Sequence, residues 1–220
     1  MPSILGHAHN VGMGTPNGTY GLYDYLPSGN GYKVRLTLKH LGLPYDLHEV
    51  DILKGESRTP EFLARNPIGR IPALRLPDGQ FIAESHAIIW YLAESSVLMP
   101  ASRLERARAL SWLSFEQYEL EPNVATVRFW LSMLRKTPAE LGERLTEKRE
   151  KGIRALGVLE QGLRGVPFLV GSKFSIADIS LYAYTNVAAE GGFDLGQYPN
   201  ITAWLKRVAA LPNHAPITSR

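Results

Sequence analysis

Residues 66–88 read Asn66-Pro67-Ile68-Gly69-Arg70-Ile71-Pro72-Ala73-Leu74-Arg75-Leu76-Pro77-Asp78-Gly79-Gln80-Phe81-Ile82-Ala83-Glu84-Ser85-His86-Ala87-Ile88. An apolar run opened by a proline, Ile71 to Leu76, meets a cluster of turn formers, Pro77 to Gln80, and then a second apolar run, Phe81 to Ala83. Strand, Gly-containing turn and strand predict a β-hairpin. A helix follows it, with Ala87, Ile88, Tyr91 and Leu92 on one face. Upstream, Ile52 to Arg70 reads as loop with a short helical piece around Pro60 to Ala64, and Tyr45 to Asp51 as a strand. Before that strand, Val34, Leu38 and Leu41 recur at helical spacing from about Tyr32, with Lys33, Arg35 and Lys39 off the stripe. Gly42 and Pro44 stop that helix, because Gly accepts the left-handed position and Pro cannot continue. Tyr20 to Tyr25 is a first strand, joined to the helix by the turn-rich Leu26-Pro27-Ser28-Gly29-Asn30-Gly31. Strand–helix–strand in one sheet means a parallel pair with a right-handed crossover.

The order β-α-β-(α)-β-β-α is an α/β unit of thioredoxin-like layout. After Pro100 only helical patterns occur, over residues 102–121, 123–136, 139–164, 176–189 and 201–211. The fold class is therefore α/β plus all-α, a thioredoxin-like N-terminal domain over 20–97 and an all-helical domain over 102–220. Ser175-Ile176-Ala177-Asp178 has the form of a capping box with Asp for the usual Glu, a helix start that carries no chemistry. Residues 1–19 are rich in Gly, Asn and His and lack a basic n-region and apolar h-region, so they read as a flexible extension and not a secretory signal. His7 and His9 lie in that stretch and do not by themselves make a metal site.

Composition narrows the chemistry. The 220 residues are 45% hydrophobic and 20% charged, which suits a globular protein with a full core. The net charge of +3 is scattered, so neither nucleic acid nor membrane is expected as a partner. No apolar run approaches the roughly 18 residues of a membrane span, and a cytoplasmic location is the default expectation. There is no cysteine, which removes disulfides, thiolate zinc sites and a thiol nucleophile of the protein's own. Any thiol chemistry must use a thiol brought by a substrate or cofactor.

Three segments carry candidate chemistry. A helix beginning near Ser28-Gly29-Asn30-Gly31 offers free N–H groups and the positive end of the helix dipole, which favour an anion and make a thiol more acidic. Ser28 and Asn30 add hydrogen-bond donors, although both are also ordinary N-cap residues. Ile71-Pro72 opens a strand; a cis bond there would leave the Ile71 backbone free to pair with an extended peptide, whereas a trans bond would be an ordinary edge proline. Glu84-Ser85 begins a helix, where Ser85 can cap and Glu84 can accept from an ammonium.

Together these segments resemble the glutathione transferase superfamily. The residues 28–36, Ser28-Gly29-Asn30-Gly31-Tyr32-Lys33-Val34-Arg35-Leu36, are similar to its first-strand loop and helix. Asn66 to Leu74 is similar to its Asn-Pro-x-Gly-x-(Val/Ile)-Pro-x-Leu stretch, and Glu84 to Ile88 to its Glu-Ser-x-Ala-Ile. The resemblance extends from about Tyr20 to Leu211. It implies a glutathione-dependent transferase, with glutathione as co-substrate and no metal. Ile71 would bind the cysteinyl backbone beside a cis Pro72, Glu84 and Ser85 the γ-glutamyl group, and Arg70, with Lys54, the glycyl carboxylate. Ser28 and Asn30 would activate the thiol for attack on a small hydrophobic electrophile or a disulfide. Gly31 stands where many bacterial relatives have Cys, and Ser-Gly-Asn-Gly resembles the nu-class group, some of whose members reduce disulfides with two glutathione molecules. A non-catalytic binding protein of the same fold is the other reading. Tyr118, Arg128, Phe129 and Trp130 are candidates for the second-substrate cleft, Tyr23 is expected to be core or interface, and the resemblance implies a homodimer.

Overall fold

The computed structural model describes residues 18–220, so His7 and His9 lie outside the described residues. Strands β1 (Tyr20–Asp24), β2 (Tyr45–Glu49), β3 (Ala73–Arg75) and β4 (Phe81–Ala83) form one sheet in the order β2-β1-β3-β4. β1 and β2 are parallel, with Leu22 opposite Leu47, and β1–β3 and β3–β4 are antiparallel, with Leu74 opposite Leu22 and Ile82. The parallel pair needs a crossover, supplied by α1 (Gly29–Leu41). The hairpin turn closes with Gly79 N–H donating to the Leu76 carbonyl at 2.9 Å and Leu76 N–H to that of Gln80 at 2.7 Å. Gly79 has φ 90°, which a side chain would strain. β3 begins two residues later than the apolar run, since Pro72 has no N–H for the ladder.

α1 starts at Gly29, not near Tyr32. Ser28 is its N-cap and the Ser28 carbonyl accepts from Tyr32 N–H at 3.0 Å, so the turn-forming residues are themselves the first helical turn. α1 and α3 (Ser85–Ala93) pack together, and Val34, Leu38, Leu74, Ile88 and Ile89 are fully buried. The short α2 (Pro60–Leu63) covers a small satellite core of Val50, Phe62 and Ala73, against which Tyr23 packs. Tyr23 stacks on His48 and lies under the Arg65 guanidinium, a packing position as expected.

The chain from Arg103 on holds helices alone among the described elements. α4 (Arg103–Phe115) does not stop at Pro122. It runs on through a wider, i→i+5 bonded stretch (Glu116–Ala125), one α turn (Thr126–Arg128, α5) and a second wide stretch (Phe129–Met133). Proline lacks the N–H an α-helix would need, and the wider turn accommodates that loss without a break. α6 (Pro138–Leu141) is separated from α7 (Glu143–Gly162) by Gly142 at φ 53°, and α8 (Ile176–Thr185) and α9 (Pro199–Ala209) complete the domain. Asp178 does more than reach back to Ser175 N–H at 3.0 Å. It also accepts from Leu169 N–H and from the indole N–H of the fully buried Trp204, both at 3.0 Å, tying α8 to α9.

Candidate active site

A hollow of about 520 Å³ lies between the sheet unit and the long helix. One wall holds Ser28, Gly29 and Asn30 from the start of α1, with Arg70 and Ile71 from the loop before β3. The facing wall holds Glu121, Thr126, Arg128 and Phe129, with Tyr184 from α8. Ser28 Oγ accepts from Gly31 N–H at 3.4 Å, leaving its own O–H proton free to donate to a ligand. A Cβ on Gly29 would overlap the Tyr184 ring, and one on Gly31 would overlap the Asp24 carboxylate. Both glycines are thus fixed by packing. Gly31 points into the protein toward Asp24 and not into the hollow, so a side chain there would not meet a ligand.

The Ile71–Pro72 bond is cis. Among the described residues no backbone hydrogen bond reaches the Ile71 N–H or C=O, so both can pair with an extended ligand. The approach loop is held by the buried Asn66, whose amide donates to the Arg70 carbonyl at 2.7 Å and accepts from Ile68 N–H at 3.1 Å. Glu84 has φ 68° and ψ 115°, a conformation costing on the order of 1–3 kcal/mol for a residue with a side chain. It is exposed, and it occupies the N-cap position itself; Ser85 is the first helical residue and does not cap. The Ser85 hydroxyl instead donates to Asn30 Oδ1 at 3.2 Å, joining two of the three sequence segments directly.

The other candidates separate. Lys54 is exposed, pairs with Asp51 at 3.0 Å and does not line the hollow. Arg128 lines it but is occupied: Nε donates to Glu190 at 2.8 Å and Nη1 to the Pro27 carbonyl at 2.8 Å, clamping the loop before α1. Trp130 lies outside the lining and packs partly buried on the core, with Arg144 over its ring. Tyr118, 78% exposed, borders a different hollow of about 270 Å³ with Trp90, Leu110 and Gln117. Within the wide stretch of the long helix, Glu121 faces the cleft and Tyr118 the outside.

Under the wall, charges that the sequence pattern placed on a polar helix face are buried. Lys33 and Arg35 are fully enclosed, the ammonium 2.8 Å from Glu116 and the guanidinium 3.0 Å from Asp24. Burial acts to raise the Glu116 carboxyl, but Lys33 and His86 hold it below the usual range. Burial and then Lys33 lower the His86 imidazole, so it is neutral at neutral pH. Glu121 is pushed up by burial, against the pull of Lys33, and accepts from Asn30 Nδ2 at 3.2 Å and Gln117 at 2.7 Å. Burial raises the Tyr184 phenol well above its ordinary range, so it stays a neutral hydroxyl. Sequence reasoning missed Lys33, Glu116, Glu121 and Tyr184, for each meets its partners only across the fold.

Residues 27–95 match the family model for the glutathione S-transferase N-terminal domain, and residues 125–212 that for its C-terminal domain. The chain belongs to the glutathione S-transferase family. It is 32% identical to the disulfide-bond oxidoreductase YfcG of Escherichia coli K12, over 86% of this chain and 89% of that protein. The fold superposes on a glutathione S-transferase from Pseudomonas fluorescens with a TM-score of 0.88 and 46% identity, covering 91% of this chain and 99% of the other. It is similar, at a TM-score of 0.78 and 29% identity over 91% and 88% of the chains, to a Burkholderia graminis glutathione transferase with two glutathione molecules bound per subunit. As a member of this family without cysteine, the protein has no thiol of its own to offer in chemistry. Among the described residues no helix is long and apolar enough to cross a membrane.

Proposed function

We propose that this protein is a glutathione-dependent enzyme that binds the peptide along Ile71, Glu84 and Ser85, with its sulfur beside Ser28 and Asn30. The observation carrying this reading is the convergence on one hollow of an unpaired Ile71 N–H and C=O with the Ser28 hydroxyl and the Asn30 amide. Arg70, exposed at the same wall, is the candidate for the glycyl carboxylate. Donors at a helix start stabilise an anion, so bound glutathione ionises below the thiol's ordinary pKa of about 8.5. The thiolate attacks an electrophilic carbon, forming a C–S bond as the leaving group departs with its electron pair.

Disulfide reduction is the second reading, favoured by the likeness to the E. coli oxidoreductase and to the structure with two glutathione molecules per subunit. One thiolate attacks the substrate disulfide and expels a thiolate. A second glutathione then attacks the mixed disulfide, giving oxidised glutathione and the second thiol. Conjugation of an aryl halide and reduction of a small dialkyl disulfide, assayed side by side with glutathione, separate the readings. Asn30→Ala should raise the pH of half-maximal rate in whichever assay is active. Absence of glutathione binding by calorimetry at millimolar concentration would overturn both.

We further propose a homodimer, in which the outer face bearing the exposed Tyr91, Leu110 and Tyr118 is covered by a second copy. Leu110→Arg should then give a monomer by light scattering, and an unchanged mass would refute this face.

A further inference from the structure

Behind Asn30 lies a connected cluster of buried polar and charged side chains. Lys33, on the next turn of α1, donates a hydrogen bond to Asn30 Oδ1, 2.8 Å away. Its ammonium also lies 2.8 Å from Glu116 Oε2 in the long helix and 3.3 Å from His86 Nε2 in α3. His86 Nε2 is itself 2.8 Å from Ser180 Oγ of α8, and the Tyr184 ring lies under the ammonium at 5.4 Å. The Lys33 and Glu116 side chains are wholly enclosed. A buried ion pair is commonly no more stabilising than apolar residues of the same volume, so stability alone is a weak reason for it.

Its geometry does have a consequence for Asn30. Lysine can only donate, so the amide edge facing it must be the oxygen. Ser85 Oγ donates to the same oxygen at 3.2 Å. The NH₂ edge is thereby turned to the hollow, where one N–H goes to Glu121 and the other is free for a ligand. Glu121 and Ser85 favour the same orientation, but a serine hydroxyl can also accept and Lys33 cannot, so losing Lys33 lowers the cost of the flipped amide, whose lone pair repels a thiolate. A cation on the oxygen also polarises the amide and strengthens its N–H donors.

We propose that Lys33, held by Glu116, is a positioning residue that locks the Asn30 carboxamide with its NH₂ toward the sulfur of bound glutathione. This rests on the reading of the hollow as a glutathione site and deepens it. Lys33 acts through Asn30 and does not touch the substrate.

The test is the thiol pKa of glutathione bound to the full chain, read from thiolate absorbance against pH. The titratable groups facing Lys33 are Glu116 and Glu121 on the long helix, His86 on α3 and Tyr184 on α8, and the wholly enclosed Glu116 must not be left charged without its partner. Lys33→Met with Glu116→Gln removes both. The expected result is a rise of about one unit, tenfold less thiolate, with the same double change giving almost no further rise in an Asn30→Ala background. An equal shift in both backgrounds, or none where Asn30→Ala alone shifts the pKa, overturns the proposal. No shift from Asn30→Ala itself refutes the assignment of Asn30 to the thiol and leaves glutathione binding to be judged by calorimetry. A second measurement needs no variant. The Asn30 side-chain NH₂ resonances should titrate with bound glutathione and not with S-methylglutathione; identical behaviour with both ligands overturns the orientation.

Discussion

Glu121→Gln tests the electrostatics of the hollow most directly. Glu121 Oε1 accepts from Asn30 Nδ2 at 3.2 Å, and a sulfur bonded by the other hydrogen of that NH₂ would lie roughly 6 Å from the carboxylate. Two like charges about 6 Å apart repel by about 0.7 kcal/mol in water and about 2.8 kcal/mol at an effective dielectric constant near 20. That is roughly half a unit to two units of thiol pKa. Lys33 nearby favours the lower half of the range. Glutamine keeps an acceptor for Asn30 and loses only the charge, so the bound thiol should become more acidic by about one unit. The sign reverses intuition: removing a carboxylate from the wall of the hollow should raise the thiolate fraction at mildly acid pH. Because burial holds the Glu121 pKa above that of an exposed glutamate, the wild-type carboxyl takes up its proton early as pH falls, and the difference from the variant should shrink toward acid. The assay is thiolate absorbance against pH, with the pH profile of kcat/KM as its kinetic counterpart. A thiol pKa unchanged or raised in the variant, at unaltered glutathione affinity, refutes the reasoning.

Asp178→Ala should cost about 3–5 kcal/mol in urea unfolding, since it leaves the N–H groups of Leu169 and Ser175 and the Trp204 indole without their acceptor. Gly31→Cys should destabilise the fold and yield no thiol reactive from the hollow, because any Cβ there overlaps Asp24; rapid alkylation of a stable variant would contradict this. His214 Nε2 lies 3.0 Å from the Tyr182 hydroxyl, and burial lowers the imidazole pKa. A depressed folded pKa means stability present above the unfolded value, about 6.5, and lost as pH falls below it. His214→Gln should therefore lose less Tm than wild type on acidification through that range, and parallel curves would count against the partly buried neutral imidazole.

The hairpin was legible because its signals are local. Pro77-Asp78-Gly79-Gln80 sets the turn, and the apolar runs on either side can pair only one way round it. The start of α1 was misplaced by three residues because Ser28, Gly29 and Asn30 serve equally as loop formers and as a first helical turn. Pro122 reads as a stop in any α-helical pattern. The wider turn that carries the chain through it is held by packing on α7 and α8.

By itself, then, the sequence determined the β-α-β-β-α unit, the helical remainder, the family and three segments of the candidate site. Those follow from turn chemistry, periodicity and linked spacings within short stretches. Only the tertiary structure decided how the site is assembled. It showed Ser85 bonded to Asn30 instead of capping its own helix, Arg128 spent on Pro27 and Glu190, Tyr118 turned outward, and Glu121 brought to the cleft. It also buried Lys33 and Arg35, which one-dimensional periodicity assigns to a polar face. The physical reason is common to all of them: a charge or amide chooses its state by its nearest partners, and those partners arrive from distant parts of the chain only when it folds.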